Sequence, residues 1–526
     1  MTEKIQFNEE IKRKIGALFM AGAPNEGVTE AYKEICRRYY LGNFCVRSNH
    51  ATSIEKACEV NRELRAIAYE TQKEFPLIGI DQEGGWVTRF YDGAGMISGA
   101  MSYHAAGADG EKMFKVGQKI GKILHALGYN VNNAPVLDIN IDPQNPIIGT
   151  RSYGDTPETV TELGVSFAKG LEAEGVLAAV KHFPGHGNVR GDSHLGQTVN
   201  NASADFLRQN DLVPFKTAFD RGIGAVMTAH ICCPAFAEGP ATLSPAIITD
   251  LLRKEMHFDG IVITDAIRMG AIKNNYPNGE GSVRAILAGC DQILLYTADV
   301  AVIQEEIEAA YRAFADGRIT EERLDASIAR FSAQKEKLGV ANAAPDLERA
   351  RTLVFDEASI NENFEDKLAS ITCMKNDGIL AALEGKRILC AAPINQARRG
   401  VEEASDNVLS FADIFKESFP NASAFALTSQ NCKLDAALSD STSYGAAVIG
   451  IHNVKSAPWQ LDAVKALKEK GIPTVAVLLG SPYDYQFTAE CNAVITCYEY
   501  TPLAARATAA AMKKHEYKGK LPVRLS

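Results

Sequence analysis

Three observations in the sequence predict an α/β protein of parallel βα units followed by a smaller α/β layer domain. Short apolar strands alternate with helical patterns from Asn43 to Tyr296, at roughly 30 to 45 residues per unit. Five of these strands end at or near a polar residue able to act: Asp81, Asp138, Lys181, His230 and Asp265. Polar groups gathered at the carboxyl ends of parallel strands suit a (β/α) barrel, whose site is built from those ends. The periodicity is equally compatible with an open doubly wound sheet. The alternation then breaks and resumes near residue 387, which sets a second domain apart.

The elements follow in order. Ile11, Ile15, Leu18 and Phe19 are apolar at helical spacing, so the run from Ile15 to Ala23 reads as the first amphipathic helix. Its Ala21-Gly22-Ala23 resembles a signal-cleavage site, but Glu3, Glu9 and Glu10 and the short apolar run oppose a signal peptide. Strands are expected at 77–80, 134–138, 176–180, 225–227, 261–264 and 292–295, with helices at 112–127, 160–173, 205–219 and 245–255 between them. Residues 300–338 read as helical throughout and close a first domain at 1–340. From 341 to 386 the pattern is irregular and charged, which marks a connecting segment. The domain at 387–526 carries strands at 388–391, 446–451, 474–479 and 493–497 and helices at 460–470 and 503–513. It holds no loop dense in histidine or carboxylate.

Composition narrows the class. With 526 residues, 46% hydrophobic and 23% charged, the chain is an ordinary globular protein. A net charge of -10 argues against a general nucleic-acid or anionic-membrane surface, and no apolar run reaches the length of a membrane span. Eleven cysteines without paired CxxC spacing point to reduced, buried thiols and a cytoplasmic location. Adjacent Cys232 and Cys233, close after His230, leave a minor metal or redox reading open.

Chemistry concentrates between Lys181 and His194. The run Lys181-His182-Phe183-Pro184-Gly185-His186-Gly187-Asn188-Val189-Arg190-Gly191-Asp192-Ser193-His194 puts three of the ten histidines on a loop shaped by glycines and a proline. Asp192 and His194 are two apart, so on extended backbone they share a side. There the carboxylate fixes the imidazole tautomer and raises its basicity for proton transfer near neutral pH. A second site is Ile261-Val262-Ile263-Thr264-Asp265, where a buried strand delivers Asp265 either as a helix cap or as a reactive carboxylate. Asp81 ends Ile80-Asp81-Gln82-Glu83-Gly84-Gly85 in the same way, and Arg151 lies in the loop Gly149-Thr150-Arg151-Ser152-Tyr153-Gly154, where a plain surface arginine is the simpler reading. Phe183 and Trp86 are candidates to pack on an apolar ligand face, with core packing the stronger reading for Phe183.

Together these segments resemble family 3 glycoside hydrolases, in particular the β-N-acetylglucosaminidase branch. The resemblance covers the whole chain, including the closing Lys518-Gly519-Lys520-Leu521-Pro522-Val523. It implies a (β/α)8 TIM-type barrel followed by an αβα sandwich domain, with no cofactor or metal. KHFPGHG followed by DSH is specific to the branch, which uses it for proton transfer in place of a carboxylic acid. Carried over, Asp265 is the nucleophile, His194 the acid/base and Asp192 its partner, while Asp81, Arg89, Arg151, Lys181 and His182 hold the sugar. Trp86 and Asn188 depart from the commonest pattern and bear on the leaving-group side. The resemblance implies removal of terminal N-acetylglucosamine from cell-wall fragments or chitin oligosaccharides, with a small-molecule glycoside as the partner. A phosphorylase using the same covalent intermediate is the nearest alternative. Beyond it stand a sugar-binding protein without activity, a family 3 β-glucosidase, and a metal hydrolase built on His182, His186, Asp192 and His194.

Overall fold

A computed structural model of the protein describes residues 8–191, 196–339, 344–395, 409–439 and 444–525. Ten strands fall in the first part of these residues: β1 (Phe19–Gly22), β2 (Asn43–Cys45), β3 (Ile78–Ile80), β4 (Val131–Asn132), β5 (Leu177–Phe183), β6 (Thr198–Val199), β7 (Ala225–Thr228), β8 (Ile231–Cys232), β9 (Ile261–Thr264) and β10 (Ile293–Leu294). Eight of them form one parallel sheet in the order β10-β1-β2-β3-β4-β5-β7-β9. A bridge from Ile263 to Gln292 brings β9 to β10 and closes the barrel, while β6 and β8 pair with each other outside it. The eight barrel strands are buried along their whole length, because helices cover the outside and side chains fill the inside. The (β/α)8 expectation holds, and an open doubly wound sheet is excluded.

Three elements differ from the expectation. Helix Glu9–Ala17, capped by the Asn8 side chain on the Ile11 N–H, ends before the apolar run does, and Phe19–Gly22 is β1. These four residues have no polar face to give water, and the barrel needs them between β10 and β2. The fourth strand is Val131–Asn132 and not 134–138. Pro135 has no N–H for a ladder, so 134–138 follows β5 through a single bridge at Val136, made by Leu137 N–H to Lys181 O at 2.6 Å and Lys181 N–H to Pro135 O at 3.1 Å. The helix expected at 205–219 is two, Ala204–Gln209 and Val213–Asp220. Asn210 leaves helical angles, and Pro214 cannot donate back across the break.

The segment expected to be irregular carries helices Leu347–Val354 and Glu357–Ser370 and then strand β11 (Thr372–Asn376). Six more strands follow: β12 (Ile388–Asn395), β13 (Leu409–Ser410), β14 (Ala422–Leu427), β15 (Ala446–Ile451), β16 (Thr474–Leu478) and β17 (Ala493–Thr496). The second sheet runs β11-β17-β16-β15-β12, with β13 and β14 both on β12. β11 pairs antiparallel to β17, while β12, β14, β15, β16 and β17 are mutually parallel. Two apolar clusters cover its faces, as an αβα sandwich requires. No cysteine is in a disulfide, and no helix among the described residues is long and apolar enough to cross a membrane.

The carboxyl ends of the second sheet face the barrel. Beyond β16, Tyr483 Oη accepts from Asn140 Nδ2 at 2.8 Å. Beyond β15, the His452 ring meets Trp86 edge-on at 5.8 Å. Beyond β17, Glu499 accepts the Gly99 N–H at 2.7 Å and faces the fully buried Lys367 at 3.3 Å. Lys367 also donates to Ser102 Oγ at 2.7 Å and Cys497 O at 2.6 Å. Removing one member of a buried pair strands the other charge, so Glu499→Ala is expected to lower stability by about 3–5 kcal/mol in denaturant unfolding. Adding Lys367→Met to that variant should recover a large part of the loss.

Candidate active site

Asp81, Arg89, Arg151, Lys181, His182 and Asp265 line one cavity of about 330 Å³ at the carboxyl end of the barrel. The strands deliver them directly: Asp81 follows β3, Lys181 and His182 lie in the last turn of β5, and Asp265 follows β9. The fold thus brings together all of the described residues expected at the site. Asp192 and His194 lie outside the described residues.

The floor is a buried charge network. Glu83 takes Arg151 in a two-pronged contact, Nε to Oε2 at 2.9 Å and an η nitrogen to Oε1 at 2.7 Å, and Lys181 Nζ reaches Oε1 at 2.6 Å. Lys181 also meets Asp81 at 3.3 Å, and Arg89 meets Asp81 at 3.7 Å. Tyr296 Oη donates to the other Asp81 oxygen at 3.1 Å. Burial alone opposes ionisation of Glu83, but the Arg151 and Lys181 charges overcome it and hold the carboxyl well below its usual range. For Arg151, burial favours the neutral form and is outweighed by Glu83, with Asp138 and Asp265 adding to the effect.

A second carboxylate sets the histidines. Asp138 is fully buried and accepts His182 Nδ1 at 2.6 Å, the His182 N–H at 3.2 Å and the His186 N–H at 2.6 Å. Burial is again outweighed, here by His182 and His186, and Asp138 stays ionised below its usual range. With Nδ1 as the donor, His182 turns Nε2 toward Arg151, 3.5 Å away, as an acceptor. His186, 6.1 Å from the His182 ring, is pushed down to about 4 chiefly by burial, so it is neutral near pH 7.

Asp265 is partly exposed to the cavity. Its Oδ1 accepts the Ala266 N–H at 2.7 Å, and His230 Nε2 holds the Ala266 carbonyl at 3.0 Å. Asp138 and His230, which the strand pattern singled out, therefore stand behind the cavity wall as supports. Glu83, Arg47, Arg268 and Tyr296 line the cavity without having been expected. Only Glu83 had a visible signal, two residues beyond Asp81 on the same side of an extended segment. Trp86 is not on this cavity, because it packs against His452 of the second domain. Phe183 is core, edge-on to Phe215 at 5.5 Å. No group of three histidine, cysteine or acidic side chains among the described residues is placed to hold a metal ion.

A barrel with acidic and basic side chains converging on a cavity at its carboxyl end is the arrangement of a barrel enzyme's active site. The family model for the glycosyl hydrolase family 3 N-terminal domain matches residues 10–333, and the chain belongs to that family. β-Hexosaminidase A of Pseudoalteromonas piscicida is 30% identical over 506 residues, which cover 89% of this chain and 84% of that protein. The β-N-acetylglucosaminidase/β-glucosidase of Cellulomonas fimi is 27% identical, with 85% and 83% covered. The structure of a family 3 β-N-acetylglucosaminidase from Paenibacillus sp. str. FPU-7 superposes with a TM-score of 0.90 at 31% identity, over 98% of this chain and 99% of that one.

Glu83→Gln tests the floor. It leaves Arg151 and Lys181 buried without their shared anion, and the groups lining the cavity shift. The expected outcome is a fall in kcat/KM on the order of 10²-fold, the cost of a misplacement near 1 Å, with circular dichroism unchanged.

Proposed function

We propose that this chain is an exo-acting β-N-acetylglucosaminidase that removes terminal N-acetylglucosamine with net retention of configuration. One observation carries the reading: the Asp265 carboxylate opens on the same cavity as Asp81, Arg89, Arg151, Lys181 and His182. The cavity is at the small end of ligand sites, about 300–1,000 Å³, which suits one sugar ring better than a chain. The family, and relatives named as β-hexosaminidases, support the same class of substrate.

In this reading Asp265 attacks the anomeric carbon and the bond to the leaving oxygen breaks. His194, held by Asp192, gives that oxygen its proton. The imidazole then takes a proton from water, which attacks the same carbon and frees the sugar. Asp265 also stabilises the positive charge that builds on the ring. Lys181, Arg89 and Arg151 donate to hydroxyl or amide oxygens of the sugar, Asp81 and His182 Nε2 accept from hydroxyls, and their task is to hold the reacting carbon over Asp265. Cell-wall fragments are the proposed source of substrate, with chitin oligosaccharides next, and the cytoplasm the proposed compartment.

Asp265→Asn is expected to lose turnover by about 10⁴-fold or more on every substrate. His194→Ala should lose about 10²–10⁴-fold on a sugar leaving group and far less on an activated aryl glycoside, whose leaving group needs no proton. Equal losses on both would remove His194 from the role. Proton NMR of freshly cleaved β-glycoside tests the stereochemistry: the β-anomer should appear first, and early α-anomer would refute the double displacement.

A further inference from the structure

We propose that Asp211 is a positioning residue whose neutral carboxyl supports the turn at Pro184–His186, and whose ionisation loosens that turn. The turn leads into the segment assigned above to proton transfer, so the catalytic meaning of the proposal rests on that reading.

Asp211 occupies the break between helices Ala204–Gln209 and Val213–Asp220 and is 1% exposed. Apart from its own backbone N–H, its carboxyl oxygens meet no hydrogen-bond donor among the described residues. It lies directly under Gly185: a side-chain carbon there would come within 2.7 Å of Asp211 Cβ and 2.8 Å of Oδ1. Gly185 also has φ +117, so the turn takes glycine for both reasons. The same turn is held by Asp138, which accepts the His186 N–H.

The turn is therefore clamped between two carboxyl groups of opposite circumstance. Asp138 is satisfied by His182 and His186 and is ionised. Asp211 has no such donors among the described residues, and a second negative charge near Asp138 is costly in a buried site. Among the described residues, the groups acting on Asp211 include no cation that would offset this. Asp138 comes from the loop after β4, and His186 from the turn itself is neutral near pH 7. Cys233, beyond β8, is a thiol that burial pushes up to about 12. Burial first, and the Asp138 charge second, push Asp211 up to about 7.

The sign of the pH effect follows. The folded protein binds a proton at Asp211 that the unfolded chain releases near pH 4, so stability declines as pH rises from about 4 to about 7 and levels off above. Above pH 7 the carboxylate must find water or donors that the closed turn does not supply, and the turn gives way.

The test compares kcat/KM of the parent enzyme and Asp211→Asn from pH 5.5 to 8.5 on an aryl β-N-acetylglucosaminide. The neutral amide keeps the shape and cannot ionise. The ratio of variant to parent should rise about tenfold from pH 6 to pH 8. Titration of the catalytic imidazole affects both proteins alike and cancels in the ratio. A ratio that stays flat, whether high or low, overturns the proposal, because a purely structural residue would change all pH values equally. If Asp211→Asn does not fold, Asp211→Ser serves in the same comparison. Infrared difference spectroscopy of the parent supplies an independent check: a carboxylic-acid band must vanish between pH 6 and pH 8, and its absence also overturns the proposal. A parent inactive on the glycoside refutes the functional reading alone, and the infrared result still decides Asp211.

Discussion

The architecture of the site depends on the shared burial of Glu83, Arg151, Lys181 and Asp81. Taking any one of these ions out of water costs several kcal/mol, and only the others return it. The side chains of Lys181, Arg151 and Glu83 are between 3% and 6% exposed, so solvent cannot substitute for a missing partner. The four come from three places in the chain, the end of β3, the loop holding Arg151, and the end of β5. They are in register only when the barrel has closed. The result is a rigid polar wall along one side of the cavity.

The second domain stabilises that wall from outside the cavity. Gly85, at φ +62, brings the segment after Asp81 and Glu83 so close to Glu499 that a side-chain carbon there would sit 2.9 Å from its Oε2. Glu499 then binds the Gly99 N–H, and Lys367 neutralises it from the helix before β11. The loop that carries Asp81 and Glu83 of the cavity is thereby pinned by a buried pair from the other domain. The second of the paired glycines is thus explained by a contact some 400 residues distant in sequence, and the first by the nearby Ser98 carbonyl and Ile97 side chain.

Histidine and carboxylate divide their work by environment. His182 is held in one tautomer by Asp138, and burial keeps His186 uncharged. Asp138 and Asp211 are the same residue type against one turn, but one is surrounded by donors and the other is buried near a like charge. What a carboxyl group does here depends on which N–H groups the backbone turns toward it.

Much of this protein is legible without coordinates. The parallel βα order, the division into a barrel and a sandwich, and the strand-end positions of Asp81, Lys181 and Asp265 follow from local periodicity, because a fully buried strand must be apolar up to the residue where it leaves the sheet. Phe19–Gly22 misled that reading because a four-residue apolar run continuing a helix has no period of its own. Its strand character comes from β10 and β2, which are distant in sequence. The irregular look of 341–386 has the same origin, since helix Glu357–Ser370 takes its buried positions from the barrel and β11 takes its partner from β17. Arg47, Tyr296 and Asp211 are single polar residues in stretches without distinctive spacing. Their importance lies in what faces them, and only the closed barrel decides that, because desolvation and charge pairing depend on distance in space and leave no pattern along the chain.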